Sequence, residues 1–130
     1  DAYQNHMESV DIRKSAAELR AIWVIGNEYL QSAEPWAVFK NDPNAAAATV
    51  RMSLNLITLY GQLSEPFIPD ASEVLLLAMG HDGPQWPTSM EAAVQHCKAG
   101  DSFKVPDNLF AKITDEQRLG WSEKFSGIRN

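Results

Sequence analysis

Hydrophobic residues recur every three or four positions over the first quarter of the chain, and this spacing predicts one long amphipathic helix over about 7–33. Gly26 lies inside the pattern. Because glycine costs roughly 1 kcal/mol of helix propensity relative to alanine, we expect it to allow a close helix crossing. The pattern ends at Pro35, since proline forces the residue before it out of helical geometry. Trp36 therefore lies at a corner, either as a core residue or as an exposed flat platform.

A second helix is predicted over about 43–63. Asp42 can accept hydrogen bonds at its N-cap, and Pro43 suits its first position. The apolar residues of this segment fall on two different faces, so the helix should be the central and most buried element. The two lines of apolar positions are Val50, Leu54, Ile57 and Gly61, and Met52, Leu56, Leu59 and Leu63.

A third, short helix is predicted over about 71–79 after a turn that contains two prolines. Asp70 or Ser72 can cap its start, and Gly80 ends it. Residues 88–97 predict one weak further helix. Residues 102–106 predict a short extended piece, and the rest of the pattern is helical, so we predict an all-α fold.

The last segment predicts a final helix over about 114–125, capped by Thr114 or Asp115. Residues 81–87 are rich in glycine, aspartate and proline, which is typical of a loop. We therefore predict a single helical domain over 1–130, with a loop-rich C-terminal section and an incomplete N-terminal side.

The four tryptophans have different expected roles. Trp23 follows the apolar period of the first helix and is interpreted as core. Trp86 lies between loop prolines and is expected to pack over the third helix. Trp121 is expected to dock the final helix onto the bundle. For Trp36 the core and platform interpretations both stay open.

Charge and composition limit the class of partner and compartment. The net charge of −6 argues against a general nucleic-acid binder, because non-specific affinity comes largely from neutralised phosphates. It leaves open the recognition of a few unpaired bases by stacking. The single cysteine, Cys97, makes no internal disulfide and suits a reducing, cytoplasmic compartment. No apolar run approaches the length of a membrane span.

The sequence offers no catalytic or metal-binding pattern. His6, His81 and His96 are far apart, and none pairs with a carboxylate or cysteine at metal-ligand spacing. On a helix, adjacent His96 and Cys97 would point about 100° apart, so a nucleophile and base pair is not expected. The glycines do not form a phosphate-binding loop after a strand. We therefore expect no catalytic residues, no metal and no cofactor in this chain.

An ordered set of motifs resembles the anticodon-binding domain of bacterial methionyl-tRNA synthetases, which are class I enzymes. The set begins with Asn27, Tyr29 and the Pro35-Trp36 corner, and continues with Asp42-Pro43 and the turn Ser64-Glu65-Pro66-Phe67-Ile68-Pro69. The later Leu109-Phe110 and Ile113 resemble the element that closes the family's bundle. The resemblance covers roughly residues 7–117 and implies a helical bundle of the class I anticodon-binding type.

The resemblance implies that Trp36 stacks on the first anticodon base, a cytosine in methionine tRNAs. Pro35 would fix the position of the ring, and Asn27 would support the wall that faces the anticodon. In the family, hydrogen bonds to the base come partly from an asparagine and an arginine on an earlier helix, which this chain begins too late to contain. The implied partners are the methionine tRNA anticodon loop and the catalytic domain of the same synthetase, with neither membrane nor DNA.

The family's ATP-binding signatures, His-x-Gly-His and Lys-Met-Ser-Lys-Ser, do not occur in this sequence. The resemblance therefore implies an ATP-dependent methionine-tRNA ligase whose ATP and methionine bind a catalytic domain outside this chain. The chain is either an excised portion of such a synthetase, which its start without methionine favours, or a free-standing truncated relative. An alternative function is a helical protein interaction module that does not read RNA. Lys40, with Lys14 or Arg20, would provide a small phosphate-facing patch, or all three are plain solvated residues.

Overall fold

The computed structural model describes residues 2–83 and 85–127, and all regular structure within these ranges is helical. The predicted all-α class is therefore confirmed. The helices are α1 (Ala2–Glu8), α2 (Ile12–Ala33), α3 (Pro35–Val38), α4 (Pro43–Ser64), α5 (Pro69–Ala78), α6 (Met90–Ala93) and α7 (Asp115–Phe125).

The predicted helix over 7–33 is wrong at its N-terminal end, because two helices meet there. Val10 has a left-handed backbone with φ of 57°, which ends α1. Asp11 then begins α2, since its side chain accepts a hydrogen bond from the Lys14 backbone N–H at 3.2 Å. Met7 therefore belongs to α1, and α2 starts only at Ile12.

Helix α4 is the central element, as predicted, and packs against α2, α3, α5 and α6. Asp42 caps it by accepting a hydrogen bond from the Ala45 backbone N–H at 3.0 Å, and Pro43 occupies its first position. Its buried side chains are concentrated in the C-terminal half, whereas Val50 and Met52 are exposed. The core lies where α4 meets α1, α2 and α6, and comprises Tyr3, Leu19, Leu59, Leu63 and Ala93.

Gly26 marks the crossing of α2 and α4. A side-chain carbon built at Gly26 would overlap the ring and hydroxyl of Tyr60, which lies on α4. The predicted close crossing is confirmed, and the missing side chain at Gly26 is what makes room for Tyr60.

The start of α5 differs from the prediction. Pro69 is its first residue and Ile68 its N-cap, without a side-chain hydrogen bond, so neither Asp70 nor Ser72 caps it. Ser72 is instead buried within α5. Gly80 follows the helix with φ of 81°, in line with the predicted stop.

The C-terminal section is only partly helical. Of the predicted 88–97 helix, one turn forms at Met90–Ala93. The final helix begins as expected, because Thr114 and Gln117 form a reciprocal capping box. No residue of α7 is buried and Trp121 is 48% exposed, so the predicted docking role of Trp121 is wrong.

The other two packing tryptophans lie near the core. Trp23 is half-buried and packs against the core cluster, as predicted. Trp86 does not cover α5; its ring stacks on Tyr3 with centroids 6.2 Å apart, next to the core. Trp86 thus covers α1 and not α5, the third predicted helix, over which it was expected to pack.

Candidate nucleic-acid interface

The corner between α2 and α3 is built around one residue, Glu34, with left-handed backbone angles φ 39° and ψ 56°. Its N–H donates to the Leu30 carbonyl at 3.2 Å, which closes the last turn of α2. Its carbonyl accepts hydrogen bonds from Ala37 at 2.9 Å and Val38 at 3.0 Å, which starts α3. Glu34 is therefore both the last cap of one helix and the first cap of the next.

Pro35 and Trp36 differ sharply in burial. Pro35 occupies the first position of α3 and is buried, so the corner is held by packing as well as by hydrogen bonds. Trp36 is 54% exposed. The interpretation of Trp36 as a core residue is therefore wrong, and its indole is an accessible flat surface on a fixed support.

Trp36 lines an open apolar groove of about 600 Å³ between α3 and the first two turns of α4. Phe39 lines the same groove and is 62% exposed. Residues three apart on a helical turn lie on the same side, which explains why both rings reach this groove. The remaining lining residues are Pro35, Pro43, Ala46, Ala47 and Val50.

Asn27 does not line this groove. It is exposed on α2 and lines a separate apolar cavity of about 230 Å³, together with Trp23 and Tyr60. The structure therefore brings Pro35 and Trp36 together but does not bring Asn27 into their groove. The role of Asn27 stays a prediction.

The three cations of the expected phosphate-facing patch differ in their surroundings. Lys14 forms an ion pair with Asp11 at 2.8 Å, and the hydrogen bond between these side chains lowers the pKa of Asp11 and raises that of Lys14. Lys40 and Arg20 are exposed, and Lys40 directly follows Phe39. Of the three, Lys40 is the one whose neighbour in the sequence lines the groove, while Lys14 is paired with Asp11 at the start of α2.

Two histidines that are distant in the sequence lie together in the structure. The rings of His81 and His96 meet edge to face with centroids 5.0 Å apart. Burial lowers the pKa of His81, and the neighbouring His96 lowers it further, while Asp82 acts in the opposite direction. Among residues 2–83 and 85–127, no group of three or more potential ligands is arranged to hold a metal ion.

In the part of the chain that the structure describes, no helix combines the length and the apolar character needed to cross a bilayer.

Phe39 is the residue of this groove that the sequence analysis missed. A helix of four residues is too short to show a hydrophobic period, so Phe39 carried no pattern of its own. The available signal was its spacing of three from Trp36 after a helix-starting proline.

Comparisons with known proteins agree over the whole chain. The family model described as the anticodon binding domain of methionyl tRNA ligase matches residues 1–130. A methionine–tRNA ligase of Ruegeria sp. is 59% identical over 129 residues, which are 99% of this chain and 22% of that protein. The corresponding ligase of Dinoroseobacter shibae is 56% identical, over 99% of this chain and 23% of its own length. The chain thus spans less than a quarter of these relatives, and no solved structure matches it.

Proposed function

Because the chain belongs to the family of methionyl tRNA ligase anticodon-binding domains, we propose that it recognises the anticodon loop of methionine tRNA. In this proposal Trp36 stacks on the first anticodon base, a cytosine. The observation that carries it is the exposure of Trp36, at 54% for the whole residue, on a corner whose Pro35 is buried. An exposed ring on a fixed support can receive a base without first being ordered.

The physical chemistry of the groove supports this role. An anticodon loop presents unpaired bases that can be splayed out and stacked on aromatic side chains. Such a stack contributes about 1–3 kcal/mol per base. Trp36 and Phe39 give the apolar groove two exposed aromatic rings, so a base on Trp36 would lie beside a second ring.

Pro35 and Asn27 have supporting roles in the proposal. Pro35 fixes the start of α3 and with it the direction of the indole. Asn27, exposed on α2, supports the wall that faces the anticodon. Stacking does not distinguish cytosine from other bases, so discrimination requires hydrogen bonds to the base edge.

We extend the proposal to the whole protein. The relatives are methionine–tRNA ligases more than four times as long as the matched segment. The chain would therefore act as the tRNA-binding part of an ATP-dependent methionine–tRNA ligase. ATP and methionine would bind the catalytic domain of that enzyme, which is the protein partner of this chain.

The proposal is tested by binding of the 130-residue chain to a methionine tRNA anticodon stem-loop, followed by fluorescence anisotropy. Trp36→Ala should weaken binding by about 5- to 150-fold, the equivalent of 1–3 kcal/mol. Trp121→Ala is the matched control, because Trp121 is also half-exposed but lies on α7. Circular dichroism of each variant checks that the helices persist.

Two results would overturn the proposal. One is a folded Trp36→Ala variant that binds the stem-loop as well as the Trp121→Ala control; this would favour the protein interaction module. The other is wild-type binding that does not change when the first anticodon base is altered from cytosine, which would leave recognition of shape or charge only.

A further inference from the structure

A second groove, of about 330 Å³, lies on the other side of the N-terminal half of α4. It runs between α4 and the segment that follows α6, and it is polar where the Trp36 groove is apolar. Two cationic side chains line it, Arg51 from α4 and Lys98 from the segment after α6. Asn55 and the exposed Gln95 line it as well.

The backbone that carries Lys98 is fixed against α4. The backbone N–H of Cys97 donates to Asn55 Oδ1 at 2.6 Å, and Asn55 Nδ2 donates to the Cys97 carbonyl at 3.4 Å. The Lys98 N–H donates to Asp101 Oδ2 at 2.7 Å. Lys98 therefore emerges from an anchored turn, and its position relative to Arg51 does not depend on a free loop.

The two cations have no ion-pair partner in the described part of the chain. Its ion pairs there are Lys14 with Asp11 and Arg118 with Asp115, and neither Arg51 nor Lys98 takes part in one. This is notable in a chain with 17 acidic and 11 basic residues. Two cations without an ion pair among the described residues, beside the exposed amide of Gln95, form a site suited to a phosphate.

The two grooves are separate, but neighbouring residues of α4 line them. Ala47 and Val50 line the Trp36 groove, and the residues directly after them, Ala48 and Arg51, line the second. Successive residues project about 100° apart on a helix that is about 10–12 Å wide with its side chains. A nucleic-acid strand leaving the Trp36 groove therefore needs to pass over only one helix to reach Arg51.

We propose that Arg51 and Lys98 bind a backbone phosphate of the same RNA strand whose base stacks on Trp36. This inference rests on the proposed function and adds a charged contact to it. The phosphate would position the strand and contribute affinity, while base choice would remain with the contacts to the base.

The test measures stem-loop binding by the full chain between about 50 mM and 200 mM salt. Single-stranded contacts give a slope of about −0.7 in log affinity against log salt for each phosphate neutralised. The Arg51→Gln/Lys98→Gln double variant should have a slope shallower by about 0.7, and an unchanged preference for cytosine. Arg13→Gln and Lys124→Gln are matched controls, because both cations are exposed and line neither groove.

A second arm locates the phosphate. Uncharged methylphosphonate links are placed one at a time around the first anticodon base of the stem-loop. One such link should weaken binding by wild type and leave the double variant unaffected, because that variant has already lost the contact.

The outcomes separate the two proposals. If the double variant keeps the slope of the controls while Trp36→Ala weakens binding, the phosphate site is wrong and the stacking proposal stands. If the double variant loses slope while Trp36→Ala binds normally, the stacking proposal is wrong, and with it the placement of the phosphate beside that base.

Discussion

Asn55 and Cys97, 42 positions apart in the chain, are joined by two hydrogen bonds between the Asn55 side-chain amide and the backbone N–H and carbonyl of Cys97. Asn55 is 2% exposed, so the amide replaces the water that the Cys97 backbone would otherwise bind. Among the described residues, few hydrogen bonds connect the loop-rich C-terminal section to the helices. Asn55 is thus a main attachment point of the segment that follows α6.

Replacing Asn55 with alanine should release that segment. The Cys97 N–H loses its acceptor, and leaving a buried polar group unpaired costs about 1–3 kcal/mol. Urea unfolding should report this loss, and hydrogen exchange at the Cys97 amide should accelerate. Ser53→Ala on the same helix is the control, because its hydroxyl bonds only within α4, to the Thr49 carbonyl. Unchanged protection of the Cys97 amide in Asn55→Ala would contradict the attachment.

Gly26→Ala should destabilise the protein although alanine is the better helix former. The added methyl group overlaps Tyr60, and forcing extra volume into a packed crossing costs about 1–3 kcal/mol, more than the propensity gain of about 1 kcal/mol at most. Gly120→Ala is the matched control, since nothing lies within 4 Å of a carbon added there. Thermal unfolding should show a lower midpoint for Gly26→Ala only. A second substitution, Tyr60→Leu, should restore part of the lost midpoint temperature. Equal midpoints for the two alanine variants would refute a tight crossing.

Tyr3→Phe should weaken the attachment of α1. The buried Tyr3 hydroxyl donates to the Leu63 carbonyl at 2.8 Å, and such a bond contributes about 0.5–1.5 kcal/mol. Phenylalanine keeps the ring that stacks on Trp86, so the variant isolates the hydroxyl. Denaturant unfolding should show the loss without a change in the helical signal. A stability equal to wild type would mean that the Leu63 carbonyl finds another donor.

Stability should fall as the solution becomes mildly acidic, through His81. Burial and the facing His96 lower the pKa of His81 below its ordinary value of 6.5, and Asp82 only partly opposes this. A histidine with a lowered folded-state pKa binds protons better when unfolded, so its contribution is complete above pH 6.5 and is lost as pH falls toward the folded-state pKa. Asp101 and Cys97 line the same small cavity.

Urea unfolding at a series of pH values from neutral to mildly acidic checks this expectation. His81→Gln should remove part of the decrease in the free energy of unfolding at acidic pH. His96→Gln should also reduce it, because the facing imidazole is then absent and the pKa of His81 rises. If both variants lose stability with pH as steeply as wild type, other groups cause the decrease.

Local signals explain most of what the sequence predicted correctly. Asp42 and Pro43 define the start of α4 by chemistry within one turn, and the capping box from Thr114 does the same for α7. The break at Val10 escaped because a left-handed β-branched residue is uncommon and leaves the hydrophobic period in phase. The prediction for Trp121 was wrong because one apolar residue in a helix does not establish that the helix packs against the rest of the protein.

The sequence predicted the candidate site at the Pro35-Trp36 corner. It did not predict the parts of the site where segments distant in the sequence meet. Proline chemistry located Trp36, and the structure decided its exposure. The groove of Arg51 and Lys98, like the His81–His96 contact, depends on how the chain after α5 returns to α4. No short-range pattern predicts that path, because the hydrogen bond that attaches this segment to α4 joins Cys97 to Asn55, 42 positions away in the sequence.

The double use of Glu34 as a cap gives the corner a fixed spacing. Because the single residue Glu34 ends α2 and begins α3, no additional residue separates Trp36 from the long helix. One residue inserted between Ala33 and Pro35 would turn the indole away from the groove even if every side chain were kept. Among relatives of this chain, the number of residues at this junction should therefore be a better guide to retained RNA binding than the presence of a tryptophan.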